Sequence, residues 1–382
     1  MLLLFPVTVF CCCIVLQWGY GLYFFIRIFR VKNFFIPQPG HNAPESAVPV
    51  TVLICAKNEA PQLKHNLPAV LAQRYTNTAG KPNYEVVVVD DASTDGTAPV
   101  LQALMQQYPH LRVVSVPPDA LRDAPGKKFA LSRGVQHAAY DHLLLTDADC
   151  MPAGTEWLAA MTAPLRQGKE IAAGYGGYER RQGSLLNAVI RWETLHTFLQ
   201  YSTYAAACLP YMAVGRNLAC TKNALLRAMQ SPVWRAVPSG DDDLLMRVAA
   251  DKSNTAVVLA PEAFTISRPQ HTWQAWLRQK RRHLSTGKYY RLHIRLLLGI
   301  YALSHAGMWL LFFALLFPGH AATALLLMAA RCLLYWASWY AAARRLGEQR
   351  LLPLFPLFDF GWMIYNFVLS PYIIWKNKNR WT

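Results

Sequence analysis

Eight of the 22 acidic residues in this 382-residue chain fall in three short runs, each where an apolar stretch stops or a helix begins. In the first, Val86–Val89 leads into Asp90, Asp91, Ala92, Ser93, Thr94, Asp95, Gly96 and Thr97. Carboxylates at the end of a buried strand can accept from a base N–H or a ribose hydroxyl, which is the role expected of Asp90 and Asp91. Asp95 to Thr97 need no ligand, because those residue types build turns and cap helices. In the second run, Leu143–Leu145 leads through Thr146 into Asp147, Ala148 and Asp149. Two acids two residues apart at a strand end project to one side, and a hard divalent cation shared with phosphates wants such oxygen ligands. The third run is Ser239, Gly240, Asp241, Asp242, Asp243 and Leu244, at the start of an amphipathic stretch. The positive end of a helix dipole keeps acids there ionised, and an ionised carboxylate can take a proton from an alcohol. Plain dipole-matched capping accounts for one of the three.

These acids need a scaffold that brings them together. Strand-like runs are predicted at Val50–Ala56, Glu85–Asp90, Arg112–Val116, His142–Asp147 and Ala256–Ala260, with helices at Ala98–Tyr108 and Lys127–Ala139 among them. The alternation predicts an α/β domain over residues 49–268 with a mainly parallel sheet. Ligands of such sheets bind beyond the carboxyl ends of the strands, which is where the acids fall. Lys127 and Lys128 open a helix, where a cation opposes the dipole and an anionic ligand would offset that.

Hydrophobic residues make up 53% of the chain and are concentrated at its two ends, while the net charge is +16. Leu2–Ile26 is long enough to cross a bilayer core of roughly 30 Å. It lacks the basic start, short apolar core and small-residue cleavage site of a signal peptide, so residues 1–30 are expected to remain as an anchor. Arg27, Arg30 and Lys32 follow it and place the next residues in the cytoplasm by the positive-inside rule. Residues 31–48, with Pro37, Pro39, Gly40 and Pro44, read as a linker. His271–Leu292, rich in Trp, Arg and Tyr, is predicted as an amphipathic helix in the membrane interface, giving an interfacial segment over 269–293. The remaining region, 294–382, holds two clear spans, Leu296–Phe317 and Ala321–Ala343, joined by Pro318-Gly319-His320. Leu354–Trp375 is broken by Pro356, Asp359 and Pro371. It either crosses or lies as a re-entrant or interfacial segment, because crossing would put Lys376, Lys378 and Arg380 outside. Arg331, mid-span, is costly without a partner, and either Asp359 supplies one or both residues sit near water.

Basic residues beside apolar stretches point to a membrane surface rather than nucleic acid. Eight scattered cysteines form no disulfide framework and no metal-ligand spacing, which suits a reducing compartment. No phosphate-binding Gly-rich loop, dinucleotide fingerprint or His-Glu-x-x-His is present, which removes support for ATP-driven transport, nicotinamide chemistry and zinc hydrolysis.

In this order the motifs resemble family 2 glycosyltransferases of GT-A fold, in the membrane-bound branch with cellulose, chitin and hyaluronan synthases. The resemblance runs from about Val50 to Tyr290. Ala56-Lys57-Asn58-Glu59 looks like the family's first nucleotide-binding loop, which puts Lys57 and Glu59 at the nucleotide. Asp90 and Asp91 match its uridine-contacting acids, Gly126-Lys127 its diphosphate contact, and Asp147 and Asp149 its Asp-x-Asp, which binds Mg2+ or Mn2+, with Asp147 also near the nucleotide. Asp241 falls on the position of the catalytic base, with Asp242 one register away. Gln279-Lys-Arg-Arg282-His283 is similar to the family's Gln-x-x-Arg-Trp on the interfacial helix, except that His283 stands where Trp is expected. Histidine offers less apolar area for acceptor stacking.

The resemblance implies an inverting transfer from a nucleotide-diphosphate sugar, UDP-linked in most such enzymes, with Arg282 and Lys127 beside the departing diphosphate. His283 and the small number of spans favour a membrane lipid or lipid-linked acceptor over export of a long polymer. The catalytic domain is then cytoplasmic on the cell's inner membrane. A processive polysaccharide synthase is the alternative within the family, and a non-catalytic nucleotide-binding scaffold the alternative outside it.

Overall fold

The computed structural model describes residues 4–31, 48–317 and 319–374. The linker prolines, Gly40, Lys32, Pro318, Trp375 and the basic tail residues Lys376, Lys378 and Arg380 lie outside them. An apolar helix, α1 (Leu4–Tyr23), runs on into a 3-10 turn at Phe25–Arg30. The α/β domain follows as β1 (Val50–Ala56), α2 (Ala60–Leu71), β2 (Tyr84–Asp91), α3 (Thr97–Gln107), β3 (Leu111–Val116), α4 (Lys127–His137), β4 (His142–Asp147), β5 (Cys150–Pro152) and α5 (Trp157–Arg166). It continues through β6 (Ile171–Ala173), β7 (Gly176–Tyr178), α6 (Leu185–Ala206), β8 (Leu218–Thr221), α7 (Lys222–Met229), α8 (Pro232–Ala236), α9 (Asp241–Ala249), β9 (Thr255–Val257) and β10 (Thr265–Ser267). The chain then forms α10 (Trp273–Leu284), α11 (Leu292–Leu315), α12 (Ala321–Leu346), α13 (Phe355–Leu369) and α14 (Pro371–Ile374).

Seven strands form the main sheet in the order β3-β2-β1-β4-β8-β6-β9, and β5-β10-β7 make a small second one. The strands β3, β2, β1 and β4 are mutually parallel. Every residue of β1 and β2 is buried, as expected of central strands covered on both faces. Val50, Val52 and Ile54 join one core layer with Leu63 and Leu67 of α2, while Leu53 and Cys55 join the other with Phe129 and Val135 of α4. Register fixes the site: Ala56 pairs with Asp90 on one side, and Cys55 with Asp147 on the other. The carboxyl ends of three strands therefore converge, and their acids with them.

The strands at Val50–Ala56 and His142–Asp147 match the sequence reading, whereas the one expected over Ala256–Ala260 ends at Val257. The helix expected over His271–Leu292 stops at Leu284, where Ser285 and Thr286 fold their hydroxyls back onto the carbonyls of Arg282 and His283. Nor is α10 simply a basic surface helix: Trp276 and Lys280 are buried, and Lys280 forms an ion pair with Glu193 of α6.

Among the described residues, four helical stretches are long and apolar enough to cross a membrane: Phe5–Arg30, Leu292–Leu315, Ala321–Leu346 and Gln349–Leu369. The last contains α13, whose 15 residues extend only about 22 Å. One face of α13 packs on the α/β domain, with Phe358 stacked on Trp192 at 5.0 Å and Trp362 tilted against His196 at 4.1 Å. Its other face carries Asp359, which accepts from Arg331 at 2.5 Å and from the Trp309 indole at 3.0 Å. Arg331 also donates to Gln17 of α1 at 3.0 Å. The two intramembrane charges read from the sequence are thus partners, and their network ties α1, α11, α12 and α13 together.

Candidate active site

Beyond the strand ends lies a cavity of about 890 Å3, lined among others by Glu59, Lys127, Asp147, Asp149, Asp241 and Asp242. Gln279, Arg282 and His283 of α10 line the same cavity from the side of the apolar helices. Three motifs some 40 to 130 residues apart in sequence therefore share one space.

Lys127 forms an ion pair with Asp147. It reaches there because Gly126 takes φ +62°, turning the chain sharply into α4. Burial works against both charges, but each overcomes it through the other: the Lys127 pKa stands well above its ordinary value, helped also by Asp241, and that of Asp147 stands below. Lys128 points elsewhere, donating to the carbonyls of Trp234 and Val237 and so steadying the segment that leads to Asp241.

Asp147, Asp149 and Cys150 offer ligand atoms within 4.8 Å of one another. The thiol is a poor candidate: burial, then Asp149, holds its pKa well above normal, and it shares a 2.9 Å hydrogen bond with Ser267. Burial and the neighbouring Asp147 raise Asp149 as well. Glu59 leans into the same region, with a buried Oε2 that has no hydrogen-bond partner among the described residues. Burial, then Asp149 and Asp147, push its pKa up to about 7. Three converging acids, one with an unanswered oxygen, fit a hard divalent cation better than they fit each other.

The third run divides by role. Asp243 is buried and accepts from Thr286 and from the Tyr290 hydroxyl at 3.0 Å, so it clamps the start of α9 to the chain just after α10. Asp242 accepts from the Gly215 N–H at 2.8 Å and from the Asp243 N–H at 2.9 Å; burial, then Asp241, raise its pKa to about 6. Asp241 accepts no hydrogen bond from any described residue and faces the cavity. Gly240 before it adopts φ +74°, and a Cβ there would run into the Thr286 side chain.

Asp90, Asp91 and Lys57 are not among the lining residues. Asp90 accepts from the Ser93 N–H at 3.2 Å, and both Asp91 oxygens are taken by Arg122 at 2.6 and 3.0 Å. The loop holding Lys57 and Glu59 is sewn to the following turn. Asn58 accepts from the Thr94 N–H at 2.8 Å, the Glu59 N–H donates to Thr97 at 3.1 Å, and the Ala60 N–H donates to Asp95 at 3.2 Å. The turn reading of Asp95 and Thr97 accounts for these contacts.

One cavity residue was not anticipated. Arg216 comes from a single 3-10 turn, Gly215–Asn217, with no motif around it. It stacks over Tyr178 at 4.3 Å, bonds the Gly176 carbonyl and leaves its buried Nε without a partner among the described residues. It therefore supports the Gly174–Arg181 loop at the wall of the cavity. Only a cation in an otherwise apolar stretch before β8 could have signalled it.

A fold with convergent acids at parallel strand ends, a cationic helix start and an apolar helical bundle defines a GT-A type protein with apolar helices at both ends. The family model for glycosyl transferase family 2 matches residues 51–213, and that for glycosyl transferase family group 2 matches residues 144–346, just over half the chain. This chain belongs to glycosyl transferase family group 2. It is 26% identical over 254 residues to a protein of Bacillus subtilis (strain 168) named "Probable glycosyltransferase YdaM", covering 63% of this chain and 55% of that one. It is also 26% identical over 134 residues to the poly-beta-1,6-N-acetyl-D-glucosamine synthase of Staphylococcus aureus (strain COL), covering 35% of this chain and 29% of that one. The chain thus spans about half the length of the first curated relative, and less of the second. Among solved structures, the mannosyltransferase PcManGT of Pyrobaculum calidifontis, in complex with GDP-Man and Mn2+, superposes with a TM-score of 0.53 at 21% identity, over 93% of this chain and 99% of that one. At that identity the likeness is one of fold.

Proposed function

We propose that this chain is a membrane-bound, inverting glycosyltransferase that moves a sugar from a nucleotide-diphosphate donor to a membrane-held acceptor. The observation that carries the proposal is the single cavity in which Asp147, Asp149 and Lys127 meet Asp241 and the residues of α10. Asp147 and Asp149 would hold Mg2+ or Mn2+, with Glu59 nearby. When bound, such an ion neutralises charge on a departing diphosphate. Lys127 and Arg282 add positive charge from two sides of the same space. Lys57, Glu59, Asp90 and Asp91 form the nucleotide end, with Asp91 becoming available when Arg122 moves to the ligand.

Asp241 is the base in this reading. It would take the proton of an acceptor hydroxyl, whose oxygen attacks the anomeric carbon opposite the departing diphosphate. Asp242 is the weaker candidate, because both its oxygens already accept from backbone N–H groups. Gln279 and His283 would orient the acceptor where the cavity meets the bundle. Burial first, then Lys280, Arg282 and Arg216, lower the His283 pKa well below its ordinary value, so a neutral ring is offered there.

Residues 1–30 would act as an anchor, 31–48 as a linker, 49–268 as the catalytic domain and 269–293 as the interfacial segment. Arg27, Arg30, Arg344 and Arg345 cluster at the domain side of the helices. That distribution supports a cytoplasmic domain on an inner membrane. The packing of α13 on the domain along one face supports a re-entrant position for it within 294–382.

The Staphylococcus aureus relative favours a second reading, a processive synthase. Membranes containing the protein, given labelled sugar nucleotides, distinguish the two. Label in a solvent-extractable lipid with a single added sugar supports the first reading, and label in a water-soluble polymer supports the second. Absence of transfer across donors and acceptors, with nucleotide still bound, would favour a scaffold and overturn both.

A further inference from the structure

The cavity does not end at the acids. Its wall continues along one face of α11, where Leu298, Gly299, Ala302, Leu303 and Ala306 line it at three- and four-residue spacing. From Leu298 to Ala306 this groove runs about 12 Å down a helix that is apolar enough to cross a bilayer. Trp362, Asn366 and Phe367 of α13 form the facing wall. Leu303 is 76% exposed and Phe367 57%, so the groove is open sideways between α11 and α13. On helices of this composition, a sideways opening faces lipid chains.

The groove is unfilled. A Cβ added at Gly299 would meet no atom within 4 Å. Trp362 is only 8% exposed, yet its indole N–H has no hydrogen-bond partner among the described residues, and neither has the Asn366 amide nitrogen. At the inner end of the groove, Arg295 also lines the cavity. Its guanidinium meets only the Lys288 carbonyl, at 3.4 Å, and no carboxylate among the described residues. A largely apolar groove thus leads to a cation with no carboxylate partner among the described residues and then to Asp241.

We propose that this groove holds the aliphatic chain of a sugar carried on a polyprenyl phosphate, with the carrier's phosphate at Arg295 and a hydroxyl of its sugar at Asp241. The proposal rests on the transferase reading of the cavity and names the acceptor's carrier. A two-chain phospholipid is the competing occupant, and the binding test below separates it from a single-chain lipid. A sugar polymer would gain the Trp362 N–H and the Asn366 amide along this groove, but nothing at Leu298, Leu303, Ala306 and Phe367 to replace its other hydrogen bonds to water.

The test is binding by the purified full-length protein in detergent, read by native mass spectrometry. The probes are a polyprenyl phosphate, the neutral polyprenol and a phosphatidylglycerol. The wild type should bind the polyprenyl phosphate at least tenfold more tightly than either other probe. Gly299→Leu, which fills the slot, and Leu303→Trp, which closes its exposed lip without touching packed core, should each weaken that binding tenfold or more. Arg295→Gln should remove the preference for phosphate over alcohol. UDP with Mn2+, measured in parallel, should bind all forms equally. Equal retention of the three lipids, or wild-type retention by both groove variants, would overturn the proposal. Failure of UDP to bind any form would count against the transferase reading alone, since lipid retention is read separately.

Discussion

Replacing Arg331 with leucine probes the bundle that carries the site. Arg331 is fully buried, its guanidinium is shared between Asp359 and Gln17, and its Cζ lies 3.7 Å from the centre of the Tyr335 ring. Removing one member of a buried ion pair costs about 3–5 kcal/mol, because the other charge is left without compensation. Asp359 would retain the Trp309 indole and His305, at 3.0 and 3.4 Å, so the lower part of that range applies. For a chain of 382 residues the loss corresponds to a drop of about 4 °C in the unfolding midpoint. The assay is thermal unfolding in detergent of the wild type, Arg331→Leu, Asp359→Leu and the double variant. Each single variant should fall by that amount, and the double variant should recover most of it, since no lone charge remains. A single variant within about 1 °C of wild type, or a double variant as weak as the sum of both singles, would refute the idea that this pair locks the helices.

Lys280→Met should lower the unfolding midpoint by a similar margin, because it strands Glu193 in a buried position, and adding Glu193→Gln should restore part of it. Glu59 has a folded pKa near 7 against an ordinary value of 4.5, so between those values it is protonated in the folded chain and ionised in the unfolded one. Stability should therefore fall as pH rises through that window, while Mn2+ affinity should weaken below pH 7 by up to about tenfold per unit; Glu59→Gln should flatten both profiles, as followed by unfolding and calorimetry. Gly240→Ala forces a side chain into a left-handed position against Thr286 and should cost about 1–3 kcal/mol, with kcat reduced more than donor affinity because Asp241 is displaced.

The sequence carried the elements whose cause is local. The β1 and β4 strands are short, largely apolar runs bounded by polar residues, and their boundaries could be read to the residue. The convergence of Asp147, Asp149 and Asp241 was legible through motif order, because parallel strands deliver their carboxyl ends to one edge. Contacts between distant segments were not legible. Nothing near Asp91 in sequence announces Arg122, which lies in an irregular loop, and nothing near Arg216 announces Gly176 and Tyr178. The length of α10 was overestimated because its basic and aromatic pattern continues past Leu284, where hydroxyl groups end the helix. The placement of α13 depends on Trp192 and His196, two residues of α6 that carry no membrane signal of their own.

The central claim, that Asp241 is the base of a glycosyl transfer in this cavity, is tested most directly by comparing Asp241→Asn with Asp242→Asn in membranes supplied with labelled sugar nucleotide and Mn2+. The account predicts that Asp241→Asn reduces transfer by about 10²- to 10⁴-fold, the usual worth of a general base, while nucleotide and Mn2+ binding remain. Asp242→Asn should retain measurable transfer. Near-normal turnover by Asp241→Asn would contradict the account, as would transfer abolished by Asp242→Asn alone.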